Sequence, residues 1–190
     1  MQATLKHSAI NAGCNDIHLD GHVNIDIDKN NNPEIVYDVT KLEEIIEPGT
    51  IQHIYAGHLL EHLTKEQGME FLQTCKKLLV SHGVLTVVVP DWRKCALCKS
   101  HQEAENTILA YGQHLRLYDE ETLESELKSV FSEVHVVDHK NVKYTIHKDD
   151  PLATAAIAIN HPECEWKYVF RKSEHPSTVE WKKTQPHKEG

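Results

Sequence analysis

The stretch that decides the fold is Ile10-Asn11-Ala12-Gly13-Cys14-Asn15, with Val23-Asn24-Ile25-Asp26-Ile27-Asp28 close behind it. An apolar run ending in glycine, then a second ending in acids, reads as two strands of an α/β sheet with a nucleoside site at their tips. A glycine with no Cβ lets backbone amides approach a charged group, and a carboxylate accepts the two hydroxyls of a ribose. The interval between Gly13 and Gly21 is too short for the crossover helix that parallel neighbours normally need. The first crossover is therefore expected to be a loop or a single turn.

Outward from this pair, apolar runs and helical patterns alternate. Strands are expected at Leu5 to Ala12, Val23 to Ile27, Glu34 to Asp38 and Ile51 to Ala56, with a short helix from Lys41 to Ile46 ended by Pro48-Gly49. Leu59 to Val80 carries apolar residues at helical spacing, broken near Thr64, a good N-cap for a helix from Lys65 onward, and Gly83 is read as its stop. Val84-Leu85-Thr86-Val87-Val88-Val89 is the signature of a strand covered on both faces, stopped by Pro90. Further on, a helix is expected within Arg93 to Gln113, a second from Glu120 to Val130 after Asp119, and strands at Val134 to Asp138 and Trp166 to Arg171. Leu152 to Ile159 fits a helix or a strand equally well. The polar segment 173–190 reads as a mobile tail to a single domain of residues 1–172.

Composition narrows the class. The net charge is −9 with a pI near 5.9, and no Lys/Arg cluster outside the tail is dense enough to neutralise several phosphates, which disfavours nucleic acid. No apolar run is long enough to span a bilayer and the first residues lack the pattern of a signal peptide, so a cytoplasmic protein without membrane partners is expected. The 5 cysteines are an odd number, consistent with reduced thiols. A dinucleotide fingerprint needs further glycines opening a helix, and a P-loop needs Gly-Lys-Ser/Thr; neither is present.

With INAGC at Ile10 to Cys14, GHVNIDI at Gly21 to Ile27, YDVT at Tyr37 to Thr40, IYAGHLLEHL at Ile54 to Leu63 and CKKLLVSHGVLTVVVPDW at Cys75 to Trp92, the chain resembles the class I S-adenosylmethionine-dependent methyltransferases, in particular their compact subgroup. That resemblance implies a Rossmann-like, doubly wound seven-stranded sheet, mostly parallel with an antiparallel last strand. It places the methionine part of S-adenosylmethionine against Gly13, Cys14 and Asn15, the ribose on Asp26, the adenine beside Ile27 with Asp38 and the Val39 amide, and Gly57 and His58 near the amino-acid end. Asn15 stands where the family has a second glycine, and asparagine tolerates left-handed backbone angles better than most residues. Taken singly, Gly13 and Asn15 also serve as ordinary turn residues, and Asp26 and Asp28 as strand-end acids.

For the chemistry, His62, His114 and Asp91 are the candidate catalytic residues. A base is needed only if the acceptor is an oxygen or nitrogen that must lose a proton. Trp92, Arg93, Tyr111 and His114 are expected to touch the acceptor, a small molecule or a glycan-like group. With the first strand read from Leu5, no N-terminal cap covers the pocket, and a homodimer could do so. His58-Leu59-Leu60-Glu61-His62 has a second reading: if a helix begins at His58, these side chains share a face and suit a divalent metal. The metal would either hold a hydroxyl or diol substrate, as in some methyltransferases with a similar helix, or serve a metal-dependent hydrolase with Glu61 as base. Cys95 and Cys98 with His101 have zinc-like spacing but lack a second ligand pair. A non-catalytic protein that keeps the fold is the remaining alternative.

Overall fold

The computed structural model describes residues 7–94, 100–109, 113–138, 140, 142 and 153–161. Its strands are β1 (Ala9–Ala12), β2 (Val23–Asp26), β3 (Ile35–Val36), β4 (Ile51–Gly57), β5 (Leu79–Pro90), β6 (Glu133–Val137) and β7 (Ala153–Ile159); its helices are α1 (Lys65–Leu78), α2 (His101–Ile108) and α3 (Glu120–Lys128). They form one seven-stranded sheet in the order β3-β2-β1-β4-β5-β7-β6. β7 is antiparallel to both neighbours and the other strands are parallel. This is the expected doubly wound, mostly parallel sheet.

The first crossover is a loop, and two asparagines explain how it lies on the sheet without a helix. Asn11 of β1 donates from Nδ2 to the Ile17 carbonyl at 2.9 Å and to Asn24 Oδ1 at 2.9 Å, while Asn24 Oδ1 also accepts the Leu19 amide at 2.8 Å. Both asparagines are buried. Polar side chains in a sheet face thus satisfy the loop backbone that a helix would have satisfied internally.

α1 starts where the sequence places it, with a capping box between Thr64 and Gln67. Its end differs from expectation. The helix stops at Leu78 and β5 begins at once, rather than at Val84 after Gly83. The carbonyls of Lys77 and Leu78 accept the Gly49 and Thr50 amides, and Asn160 Nδ2 donates to those of Lys76, Leu79 and Val80. Distant groups therefore cap this terminus, and no local glycine is required.

The Ala-rich run left open between helix and strand is β7, buried along nearly its whole length between β5 and β6. Its tertiary position overrides alanine's helical preference. The strand expected at Trp166 to Arg171, the tail, Tyr111 and the Cys95/Cys98 pair lie outside the described residues. Cys14 and Cys75 are buried free thiols, and burial raises the pKa of both, that of Cys14 to about 11 with Asp26 adding to the effect. No helix among the described residues is long and apolar enough to cross a membrane.

A line of side chains ties the N-terminal part of the sheet together. Thr86 Oγ1 is 3.0 Å from His53 Nε2, His53 Nδ1 is 3.0 Å from His22 Nε2, and His22 Nδ1 is 3.2 Å from the Asp20 carbonyl. Burial pushes His22 below its ordinary value of 6.5, against the Asp20 carbonyl, which favours the charged ring, and with His7 adding repulsion. The unfolded chain therefore binds more protons than the folded one between the two pKa values. Stability from this group is complete above the unfolded value and declines as pH falls from there to the folded one. Thermal melts between about pH 8 and pH 5 should show a fall in Tm that is smaller in His22→Gln.

Candidate functional site

The parallel order β2-β1-β4-β5 brings the C-terminal ends of these strands to one edge of the sheet, and the chain reverses winding between β1 and β4. Ligands of open α/β sheets bind in the crevice at such a switch point. Gly13 leaves β1 on one side of it, and Gly57 ends β4 on the other.

The turn after β1 is built on Asp26. Gly13 and Asn15 both have left-handed backbones, φ 66° and 48°, so Asn15 adopts a conformation that asparagine tolerates better than most residues. The Gly13 and Cys14 amides donate to the Ile25 carbonyl at 2.9 and 3.1 Å. The Asn15 amide donates to Asp26 Oδ2 at 2.8 Å, and the Asp28 amide to Oδ1 at 2.8 Å. Asp26 is 8% exposed, and two amides fix its plane. Beside it Ile27 is 72% exposed, an apolar surface next to a carboxylate.

A side chain at Gly13 would collide with Leu59, whose Cδ1 lies 2.7 Å from where a Cβ would stand. Gly13 thus serves two purposes, its positive φ and the close approach of the segment following β4. Asp38 caps the 3-10 segment Val39–Glu44, accepting from the Thr40 amide and hydroxyl at 3.0 and 2.8 Å. Val39 is the first residue of that turn, where a backbone amide has no partner within the helix.

After Gly57 the chain does not enter an α-helix. His58 is left-handed, φ 53°, while its amide still donates to the Val88 carbonyl at 2.8 Å. Positive φ at a non-glycine residue is strained and collects at functional sites. Leu60–His62 is a single 3-10 turn. The expected helical face of His58, Glu61 and His62 is therefore not formed, which removes the basis of the hydrolase reading.

A different group forms instead. Ligating atoms of Glu61, His62 and His114 all lie within 4.8 Å of one another, and the His62 and His114 rings meet edge to face at 4.8 Å. Glu61 is 1% exposed, yet neither of its oxygens has a hydrogen bond in good geometry, although His58 Nδ1 stands 3.1 Å from Oε1. His114 Nδ1 is also buried without a hydrogen bond. Leaving such groups unmet costs about 1–3 kcal/mol each, more if charged. Burial lowers the pKa of His114, opposed by Glu61 and reinforced by His62 and His58.

No local sequence pattern reveals the contacts that hold this turn. Arg116 donates from Nε to the Leu63 carbonyl at 2.9 Å and from a terminal nitrogen to that of Leu60 at 3.0 Å, and it pairs with both oxygens of Glu126 at 2.9 Å. Glu126 also accepts from the Tyr118 hydroxyl at 3.0 Å, and the Leu115 and Arg116 amides donate to the Glu61 carbonyl. Gly68 of α1 leaves the room: a Cβ there would strike the Arg116 guanidinium.

Asp91 follows β5 and is 3% exposed. It accepts the Arg93 amide at 2.9 Å and faces Lys94 Nζ at 3.7 Å, and burial raises its pKa. Trp92 Nε1 and the Arg93 guanidinium are both held by Asp119 Oδ2, at 3.2 and 2.9 Å. These two expected acceptor contacts thus have a structural task, anchoring the start of α3.

No protein-family model matches the chain, and no curated protein matches it in sequence. Solved structures do match in fold. A SAM-dependent methyltransferase from Archaeoglobus fulgidus superposes with a TM-score of 0.57 at 14% identity, covering 80% of this chain and 85% of that one. The phosphoethanolamine N-methyltransferase 2 of Haemonchus contortus, solved with S-adenosyl-L-methionine, gives 0.54 at 12% identity over 82% of this chain and 48% of that one. The CurJ carbon methyltransferase gives 0.53 at 14% identity over 81% and 48%. Their methyl acceptors differ in kind, so the shared property is the sheet with its switch-point edge. The chain has the class I S-adenosylmethionine-dependent methyltransferase fold.

Proposed function

We propose that this protein is an S-adenosylmethionine-dependent methyltransferase that methylates an oxygen or nitrogen of a small-molecule or glycan-like acceptor. The observation that carries the reading is the Asn15 amide on Asp26 Oδ2: a left-handed turn and a buried carboxylate arranged as a nucleoside cradle at the switch point. The residues fit the cofactor, because Asp26 holds a buried carboxylate at the strand tip and Ile27 offers an apolar surface beside it.

In this reading Gly13, Cys14 and Asn15 line the methionine end with Gly57 and His58, Asp26 accepts the ribose hydroxyls, and Ile27, Asp38 and Val39 receive the adenine. When bound, S-adenosylmethionine supplies a methyl group on a sulfonium that is already activated. The protein's work is then to orient an acceptor in line with that group and to exclude water. His62 and His114 stand on the turn and segment beyond the switch point. His114, with its lowered pKa, is a neutral imidazole at pH 7, able to take a proton from an acceptor O–H or N–H. Asp91, buried beyond β5, is the second candidate for that proton.

The test is a methyl-transfer screen across acceptor classes that tracks formation of S-adenosylhomocysteine. Turnover on hydroxyl or amine acceptors supports the reading. Binding of the cofactor with no turnover on any class would favour a non-catalytic protein of the same fold.

A further inference from the structure

We infer that Glu61, His62 and His114 form a site for a first-row divalent transition metal. Glu61 arrives on the Leu60–His62 turn and His114 on the segment before Arg116, two parts of the chain locked together through the Glu61 carbonyl and the Arg116 side chain. The ligating atoms lie within 4.8 Å of one another. Two ligands on one ion stand at most about 4.4 Å apart at bond lengths of roughly 2.0–2.2 Å, so a closing of a few tenths of an ångström brings all three within range of one ion.

Two further features accompany this cluster. Glu61 is buried to 1% exposure with no hydrogen bond to either oxygen, and His114 Nδ1 is buried without one. His58 Nδ1 stands 3.1 Å from Glu61 Oε1, but it leaves Oε2 and His114 Nδ1 unmet, and a bound cation supplies the partner that these buried atoms lack. One carboxylate and two imidazoles suit zinc, cobalt, iron or manganese rather than magnesium or calcium, which prefer all-oxygen sets.

Three protein ligands leave coordination positions open for an outside oxygen, and with His62 and His114 on the ion the acceptor's proton passes to the second candidate, Asp91. The turn that carries Glu61 and His62 lies next to Leu59, which packs on Gly13, so the ion stands beside the turn assigned to the cofactor. Resting on the methyltransferase reading, an oxygen of the acceptor takes one of those open positions. The site itself needs only the side chains.

Full-length protein stripped with a chelator is titrated with Co2+, monitored by visible absorption and calorimetry, then challenged with Zn2+. Expected are one Co2+ per chain, d–d bands of a nitrogen- and oxygen-ligated ion, and displacement by Zn2+. His62→Ala, which alters an exposed side chain, and Glu61→Gln, which keeps the buried shape, should each weaken binding at least about ten-fold. Absence of stoichiometric Co2+ binding, or wild-type affinity in both variants, overturns the site. S-adenosylmethionine affinity measured on the same samples separates the two ideas: cobalt binding without cofactor binding leaves the metal site standing and removes the methyltransferase reading, and the reverse result removes only the metal.

Discussion

Asp26→Ala is expected to weaken S-adenosylmethionine binding by about 100- to 1000-fold. Two hydrogen bonds from ribose hydroxyls to a carboxylate contribute together about 3–4 kcal/mol, and each 1.4 kcal/mol is about tenfold in affinity. The substitution also removes the partner of the Asn15 and Asp28 amides, both at 2.8 Å, so the left-handed turn after β1 loses its anchor. Asp26→Asn separates the two contributions, since it keeps the shape and one acceptor oxygen. It should fall between wild type and alanine in calorimetric titration. A dissociation constant for Asp26→Ala within about threefold of wild type would show that the ribose lies elsewhere.

Arg116→Met should produce the largest loss of stability of any single change at the candidate site, about 3–5 kcal/mol. The guanidinium and Glu126 are only 15% and 18% exposed, so solvent cannot replace the bond. Its other donors hold the Leu60 and Leu63 carbonyls, and the turn carrying Glu61 and His62 should loosen with it. For a chain of this size the expected fall in Tm is roughly 10 °C. Because removing both partners of a buried pair costs far less than removing one, Arg116→Met with Glu126→Leu should recover part of the loss. A shift below about 2 °C in the single variant would mean that the clamp contributes little.

The contrast between these residues explains what the sequence could reveal. Gly13, Asn15 and Asp26 are legible because their chemistry is local: a turn needs positive φ, and a strand tip needs an acid, within a span that periodicity defines. β5 is legible because a run from Val84 to Val89 has no other stable place than the middle of a sheet. The end of α1 is not, since its carbonyls are met by Gly49, Thr50 and Asn160. Nor is β7, whose alanines take their conformation from the strands on either side.

At the site itself the same rule holds. His58-Leu59-Leu60-Glu61-His62 invites a helix by spacing, but β4–β5 pairing carries through the His58 amide and bends the backbone into a left-handed residue and a 3-10 turn. The partner of Glu61 and His62 is then His114, far along the chain, and no local pattern encodes that meeting. Arg116 is a common surface residue by type, and only the cradle left by Gly68 makes it a clamp. Trp92 and Arg93 come directly after the central strand, where acceptor contacts are expected, yet both turn to Asp119.

The central claim is that the edge formed by Gly13, Asn15 and Asp26 holds S-adenosylmethionine. Isothermal titration of the wild-type chain with S-adenosylmethionine tests it most directly. One saturable site per chain, competed by S-adenosylhomocysteine and weakened in Asp26→Ala, is the predicted result; no heat of binding at millimolar cofactor would contradict it.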